Sequence, residues 1–451
     1  MVKNATPMTT TITKLLEQKK FVTLQDLFTA MQPVDIAILL ENVSDSGLSV
    51  LFRLLPKNLA AETFAEMDAA LQEQLIQDFS DRELKEVFDE LYLDDVVDLI
   101  EEMPASIVKR ILSQADPDSR HLINEMLKYP DNSAGSIMTT EYVDLHPDMT
   151  AAQAIEHIRR TGVDKETINI CYVTNASRQL LGAVSIRSLI LAGEGCPVRV
   201  LMSTHLISVS TQEDQENAAR LFTKYGYLAI PVVDSEKRLV GIVTVDDAMT
   251  VLQEEVTEDI DKMAAIMPSD KPYLRQSAFH IYKSRIPWLM LLMISATFTG
   301  SIITHFEDAL SSCVILAASI PMLMDTGGNC GSQASVTVIR GLSLQEIQFS
   351  DAWRVIGKEL RVALLCGITL SAVNFGKLIL FHHTSAAVAA VISLTLLFTV
   401  CTAKLVGSML PILARRLGFD PAVMASPFIT TIVDALSLFI YFTIAGAMLH
   451  I

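Results

Sequence analysis

The sequence predicts a multidomain membrane protein: an acidic, α-helical superhelical N-domain, a tandem of α/β units and a five-helix transmembrane domain. Three observations predict it, namely a one-sided charge distribution, a change of periodicity near residue 130, and apolar runs of membrane-crossing length after residue 285. Residues 1–285 hold 27 Lys/Arg against 44 Asp/Glu and residues 286–451 hold 8 against 8, so the whole formal charge of −17 belongs to the first part. Such an acid excess argues against nucleic acid as a partner. The six cysteines show no CxxC or CxxxC spacing, so neither a zinc site nor a disulfide framework is expected. The first twenty residues are polar and lack the apolar core of a signal peptide, which places the acidic part on the cytoplasmic side.

Residues 21–130 read as short amphipathic helices punctuated by turns, with Pro33, Pro56 and Pro104 near helix starts. A loose period of about two dozen residues suggests a stacked, solenoid-like domain over 1–130. Between Gly135 and Asp247 helices alternate with β-branched strands at 168–173, 181–184, 229–233 and 239–243. The pattern is that of one α/β unit copied twice, filling 131–250. A connecting helix is expected over 251–280, ahead of a transmembrane domain at 281–451.

The apolar runs fall at roughly 286–304, 311–339, 362–381, 386–414 and 422–449, each near the ~20 residues a helix needs to cross the hydrocarbon. Lys283 and Arg285 precede the first run, Arg340, Arg354, Lys358 and Arg361 separate the second from the third, and Arg415 and Arg416 separate the fourth from the fifth. The alternate connections, around His305–Asp308 and His382–His383, carry no Lys or Arg. An excess of positive residues on the inner side makes the N-terminal domains cytoplasmic and the C-terminus external.

The two copies, beginning at Ser136-Ile137-Met138-Thr139 and Val200-Leu201-Met202-Ser203, look like a pair of cystathionine-β-synthase-type regulatory domains. That resemblance implies an adenine-nucleotide site in which a Gly-x-x-Ser/Thr-x-x-Asp turn sets its acid on the ribose. Gly241, Thr244 and Asp247 supply the turn in the second copy, whereas the first reads Gly182, Ser185 and Ser188. Two readings stand: a one-sided site with ATP as regulator, or a purely structural pair.

The membrane half carries polar residues at mid-span. The second run contains Asp325, Gly327, Gly328, Asn329, Gly331 and Gln333, and the fifth contains Thr430 and Asp434. The glycines permit close helix packing. Asp434 lies about 12 residues, near 18 Å of helix, from the start of its run, and a carboxylate at that depth marks an ion path. Asp325 is either a second acid of that path or the partner of Lys404, and the pairing is favoured.

With the acidic helical domain and the paired regulatory domains, these motifs make the chain similar to the MgtE family of magnesium channels over almost its whole length. The resemblance implies a homodimer with a twofold pore in the bacterial plasma (inner) membrane. Asp434 of each subunit would hold hydrated Mg²⁺ there, helped by Asn329 and by backbone oxygens near Thr430. It also implies that Mg²⁺ is regulator as well as substrate: the connecting helix plugs the channel from inside, and Asp420 contributes beside it. Ten acids in residues 81–102 and seven in 246–261 fit such a sensor, with Asp94, Asp95, Asp98, Asp246, Asp247, Glu254, Glu255, Glu258 and Asp259 as its ligands. A merely solvated acidic face is the competing reading. Rival classes are a transporter of Co²⁺ or Mn²⁺, one coupled to Na⁺ or H⁺, a non-conducting sensor, and an Mg²⁺-dependent membrane enzyme. Against the enzyme, no Gly-rich phosphate loop and no Ser/His/Asp arrangement is present.

Overall fold

The computed structural model describes residues 5–43, 45–269, 273, 276–306, 313–424 and 426–449. The expected outer connection at Asp308, the start of the second span at 311, and parts of the 251–280 connection lie outside them. The chain divides into two compact units, Met1–Leu252 and Gln253–Ile451.

In the first unit ten helices precede the first strand among the described residues: α1 (Ala5–Glu17), α2 (Phe21–Thr29), α3 (Pro33–Leu40), α4 (Asp45–Phe52), α5 (Lys57–Ala65), α6 (Ala69–Asp78), α7 (Asp81–Phe88), α8 (Leu93–Glu102), α9 (Ala105–Gln114) and α10 (Pro117–Met126). From α2 onward every helix starts 12 residues after the one before, so the two-dozen period expected from the sequence is a pair of helices. The register is set by starts and by core positions. Asp68, Ser80 and Asp116 cap their helices with side-chain oxygens, Ser80 in a capping box with Glu83, and Pro56 and Pro104 occupy the equivalent place. One core row is Leu24, Ile36, Leu48, Ala60, Leu84 and Val96, and a second is Phe28, Leu40, Phe52, Phe64, Ile76 and Ile100, all buried. Gln72 falls in the first row. It is tolerated because its amide donates to the Phe64 carbonyl at 2.8 Å.

The α/β copies are matched three-stranded sheets. In the first, β1 (Asp144–Leu145) runs parallel to β2 (Ile170–Thr174), which pairs antiparallel with β3 (Leu180–Ser185). In the second, β4 (Val209–Ser210), β5 (Ala229–Val233) and β6 (Leu239–Thr244) repeat that order. The four expected strands are present, within two residues at every end. The two-residue strands β1 and β4 are too short to register as a pattern. Helices α11 (Ala151–Thr161), α12 (Ile186–Leu191), α13 (Val198–Leu201) and α14 (Gln215–Tyr225) pack around the sheets. Each copy's opening segment bridges to the other copy's last strand, Thr139 to Ile242 and Ser203 to Ala183. A Cβ on Gly241 would lie 2.8 Å from the Thr139 carbonyl oxygen and one on Gly182 would lie 2.7 Å from that of Ser203, so both motif glycines are required by this exchange.

Helix α15 runs from Val245 to Met263, starting earlier and ending earlier than the 251–280 expected. It thereby carries Asp246 and Asp247 on its first turn. The second unit then holds α16 (Ala278–His305), α17 (Val314–Ser343), α18 (Ala352–Leu380), α19 (Ala386–Arg416) and α20 (Ser426–Leu449). Among the described residues four stretches combine the length and hydropathy to cross a membrane: Ala278–His305, Phe349–Leu380, Ala386–Arg416 and Pro421–Leu449. α17 has the length, 30 residues, but its polar and glycine positions dilute its hydropathy, so composition alone supports four spans where five were expected. Its middle is nonetheless buried, with Leu323, Gly327, Gly328, Gly331 and Ala334 all inside. Two helix starts differ from expectation. α16 begins at 278, so Lys283 and Arg285 lie on it, and α18 begins ten residues early, so Arg354, Lys358 and Arg361 lie on helix rather than in a connection. The physical reason is length: 29 residues make about 44 Å of helix, more than the ~30 Å hydrocarbon, and the charged turns extend past it.

The helices of this unit touch through small residues. A Cβ on Gly407 of α19 would collide with the backbone carbonyl of Gly331 on α17. One on Gly327 would come 2.9 Å from Val433, and one on Gly328 would come 3.0 Å from Thr430, both on α20. Packing therefore accounts for the glycines of the second run. The Tyr441 hydroxyl of α20 donates to the Leu316 carbonyl of α17 at 3.0 Å in the buried interior.

Candidate acid sites and the membrane path

Two of the acids singled out on α8 are not a solvated face. The Asp94 carboxyl is deeply buried with Oδ1 lacking a hydrogen-bond partner among the described residues. Burial, then the charges of Asp95, Asp247, Glu141 and Glu166, push it up to about 9. Asp95 is raised to about 6 by burial and by Asp247, Glu66 and Glu141. Asp98, at the exposed rim, is raised to about 7 by its partial burial and by Glu101 and Asp95. The α/β side faces them with Asp247, Glu141 and Glu166. Glu166 is raised to about 7 by burial and by Asp246 and Asp247. Glu141 and Glu166 were missed in the sequence, because they stand singly in loops and only the fold carries them to α8. Glu141 also anchors that contact, accepting from the Thr139 hydroxyl at 2.7 Å and from the Leu93 backbone N–H at 3.4 Å.

Asp247 accepts from the Thr244 hydroxyl in the second-copy motif. In the first copy Ser185 and Ser188 take those places, their hydroxyls 2.9 Å apart, with Ser185 capping α12. The motif is thus a helix-start device in both copies, and only the second adds a carboxylate.

Further along α15, Lys262 Nζ lies 2.9 Å from Glu258 and 2.7 Å from Asp420 Oδ2. Asp420 precedes α20 rather than lying inside it, and its other oxygen accepts from the Ala422 N–H at 2.8 Å. Asp259 is raised by burial and by Asp420, against the pull of Lys262. Glu254 and Glu255 share this helix with them.

In the membrane unit Asp325, Asn329 and Gln333 share a face of α17 and line a groove of about 530 Å³ walled by Leu365, Cys366 and Thr369 of α18. The Asn329 amide donates to Asp325 at 3.2 Å. The favoured pairing of Asp325 with Lys404 is not made. Lys404, buried on α19, lies 3.9 Å from Glu359, itself largely buried on α18. That partner was missed because Glu359 falls outside the run expected to span. Asp434 sits inside α20 with Oδ1 buried and, among the described residues, without a hydrogen-bond partner.

Among the described residues no group of three or more His, Cys, Asp or Glu stands as a direct metal cage. Mg²⁺ does not require one, because it keeps several waters and is gripped through them by a few carboxylates. The orphaned oxygens of Asp94 and Asp434 fit such a cation, since a buried unpaired carboxylate is otherwise costly.

A span-rich unit with a partnerless intramembrane carboxylate, joined to an acidic soluble unit, has the make-up of an ion transporter. Residues 320–444 match a family model described as a divalent cation transporter, 31–132 match the MgtE intracellular N domain, and 134–195 and 198–254 each match the CBS domain. A magnesium transporter MgtE of Thermus thermophilus is 35% identical over 431 residues, covering 95% of each chain. One from Bacillus subtilis is 33% identical over 436 residues, 97% of this chain and 96% of that one. A crystal structure of the cytosolic domain of the Mg²⁺ channel MgtE in complex with ATP is 32% identical, spans 54% of this chain and 99% of its own, and aligns with a TM-score of 0.52. The chain belongs to the MgtE family of magnesium transporters.

Proposed function

We propose that this protein is a Mg²⁺-selective channel that imports Mg²⁺ across the bacterial plasma membrane and is closed by internal Mg²⁺. The observation that carries the gating reading is Asp94, buried and partnerless among the carboxylates of Asp95, Asp247, Glu141 and Glu166. A dication entering this cluster turns repulsion into attraction and holds the helical domain to the α/β pair; without it the contact is strained. Asp98 and Asp246 edge the cluster. Glu254, Glu255, Glu258 and Asp259 on α15, with Asp420, form the second sensor, α15 being the plug. In the pore, Asp434 of two subunits of a homodimer grips hydrated Mg²⁺, with Asn329 and the backbone near Thr430 completing the path. α17 is the fifth span, the cytoplasmic part divides at about 130 and 250, and the C-terminus is external. ATP bound at Gly241, Thr244 and Asp247 tunes closure, a reading supported by the ATP-bound relative.

A second reading is ion-coupled transport, for which Asp325, hydrogen-bonded to Asn329 inside α17, is a second intramembrane acid beside Asp434. Transport of Co²⁺ or Mn²⁺ is the remaining alternative. Proteoliposome uptake of Mg²⁺, Ca²⁺, Mn²⁺ and Co²⁺ under imposed voltage separates these. Voltage-driven Mg²⁺ flux that needs no counter-ion is the expected result. A strict requirement for a Na⁺ or H⁺ gradient would replace the channel by a coupled carrier. Removing residues 1–130 should leave conduction and weaken closure by internal Mg²⁺; equal closure in both proteins would remove the N-domain from the sensor.

A further inference from the structure

A cavity of about 500 Å³ lies where the C-terminal ends of α17 and α19 meet the turn Phe349–Asp351. Its walls include Gln345, Gln348, Phe349, Ile412, Arg415 and Arg416. Among the described residues no acid lines it. The nearby Asp351 is committed to Arg354 at 3.0 Å and to the Gln348 backbone N–H. The two arginines are held in place: Arg415 donates to the Leu342 carbonyl at 2.6 Å, closing the last turn of α17, and the Arg416 guanidinium lies 4.3 Å over the Phe349 ring. A guanidinium fixed on an aromatic face keeps its donors free for an oxyanion and matches phosphate in a fork. Within four residues of this lining along the chain, Leu344, Trp353, Leu417 and Phe419 are strongly exposed. Two candidate spans, Phe349–Leu380 and Ala386–Arg416, have their ends here, so the cavity opens at the membrane boundary, where aromatic residues and basic pockets meet lipid headgroups.

We infer that this cavity binds the headgroup of an anionic phospholipid. The phosphate sits between Arg415 and Arg416, the glutamine amides reach the polar headgroup, and the acyl chains leave over Trp353 and Leu344. A free phosphate would gain nothing from the apolar floor of Ile412 and Phe349 or from the exposed apolar rim, and this favours the lipid. The inference rests on the membrane placement of the spans and is independent of the ion transported.

The test uses the full-length protein in neutral detergent, followed by thermal unfolding with added phosphatidylglycerol, phosphatidylcholine or inorganic phosphate. Wild-type protein should be stabilised saturably by phosphatidylglycerol alone. Arg416→Gln, which gives up the charge and the contact with Phe349, should need about tenfold more of that lipid for the same shift, and Arg416→Lys should recover part of the loss. Native mass spectrometry should find the lipid retained on wild type and depleted on Arg416→Gln. Equal responses of wild type and Arg416→Gln, equal stabilisation by phosphatidylcholine, or full stabilisation by inorganic phosphate would each overturn the assignment.

Discussion

The ammonium of Lys262, near the end of α15, lies 2.7 Å from Asp420 at the entrance to the last membrane helix, and 2.9 Å from Glu258 on its own helix. A tethered monovalent cation thus occupies carboxylates that the gating proposal gives to Mg²⁺. It ties the end of α15 to the segment that precedes α20 without any metal.

Lys262→Met should therefore open the channel at low internal Mg²⁺ and steepen its Mg²⁺ dependence, because more metal must replace the lost cation. The pair is partly exposed, so its worth is about 1 kcal/mol at most, roughly fivefold in the open-to-closed ratio. Single-channel open probability against internal Mg²⁺ measures it. Unchanged low-Mg²⁺ opening would make Lys262 a bystander.

Asp434→Asn should lower Mg²⁺ flux in proteoliposomes to the level of empty vesicles while leaving thermal stability equal or higher. The stability half follows from the orphaned Oδ1: removing an unpaired buried charge relieves a penalty. Near-normal flux would take Asp434 out of the ion path.

The α8 cluster gives a pH signature in the metal-free protein. Asp94, Asp98, Glu166 and Asp95 are raised to about 9, 7, 7 and 6, so the folded state binds their protons more tightly than the unfolded chain does. Their contribution is complete below the ordinary carboxylate range and is lost as pH rises through about 6 to 9. With a chelator present, the melting temperature should fall between pH 5.5 and 9. Saturating Mg²⁺ should flatten that slope, since the metal displaces the protons, and Asp94→Asn should remove most of it. A melting temperature that rises with pH in chelator contradicts the buried cluster.

Gly407→Ala should destabilise the membrane unit by about 2 kcal/mol, because its Cβ meets the Gly331 backbone rather than a side chain that can turn away. Gly376→Ala on α18, where a Cβ meets nothing within 4 Å, is the control and should be neutral or slightly stabilising through helix propensity. Thermal unfolding in detergent compares them. Equal melting temperatures would mean that α17 and α19 have room to separate.

The sequence by itself determined the division of charge, the two α/β copies and most of the apolar runs, because each is a local pattern: periodicity, composition or an i, i+4 relation. Asp325 and Asn329 were legible as one face of one helix, and their hydrogen bond follows from that spacing. Even the 12-residue register of the N-domain is written in the chain, with Leu24, Ile36 and Leu48 recurring at its interval, although short helices with varied caps blur it to a loose two dozen. Only the tertiary structure decided which distant residues meet. Glu141 and Glu166 become part of the α8 cluster, Lys404 turns to Glu359 instead of Asp325, and Lys262 reaches Asp420 across 158 positions. Long-range partners have no local signature. They are chosen when burial forces a charge or a glycine to find the one neighbour the packed helices offer it.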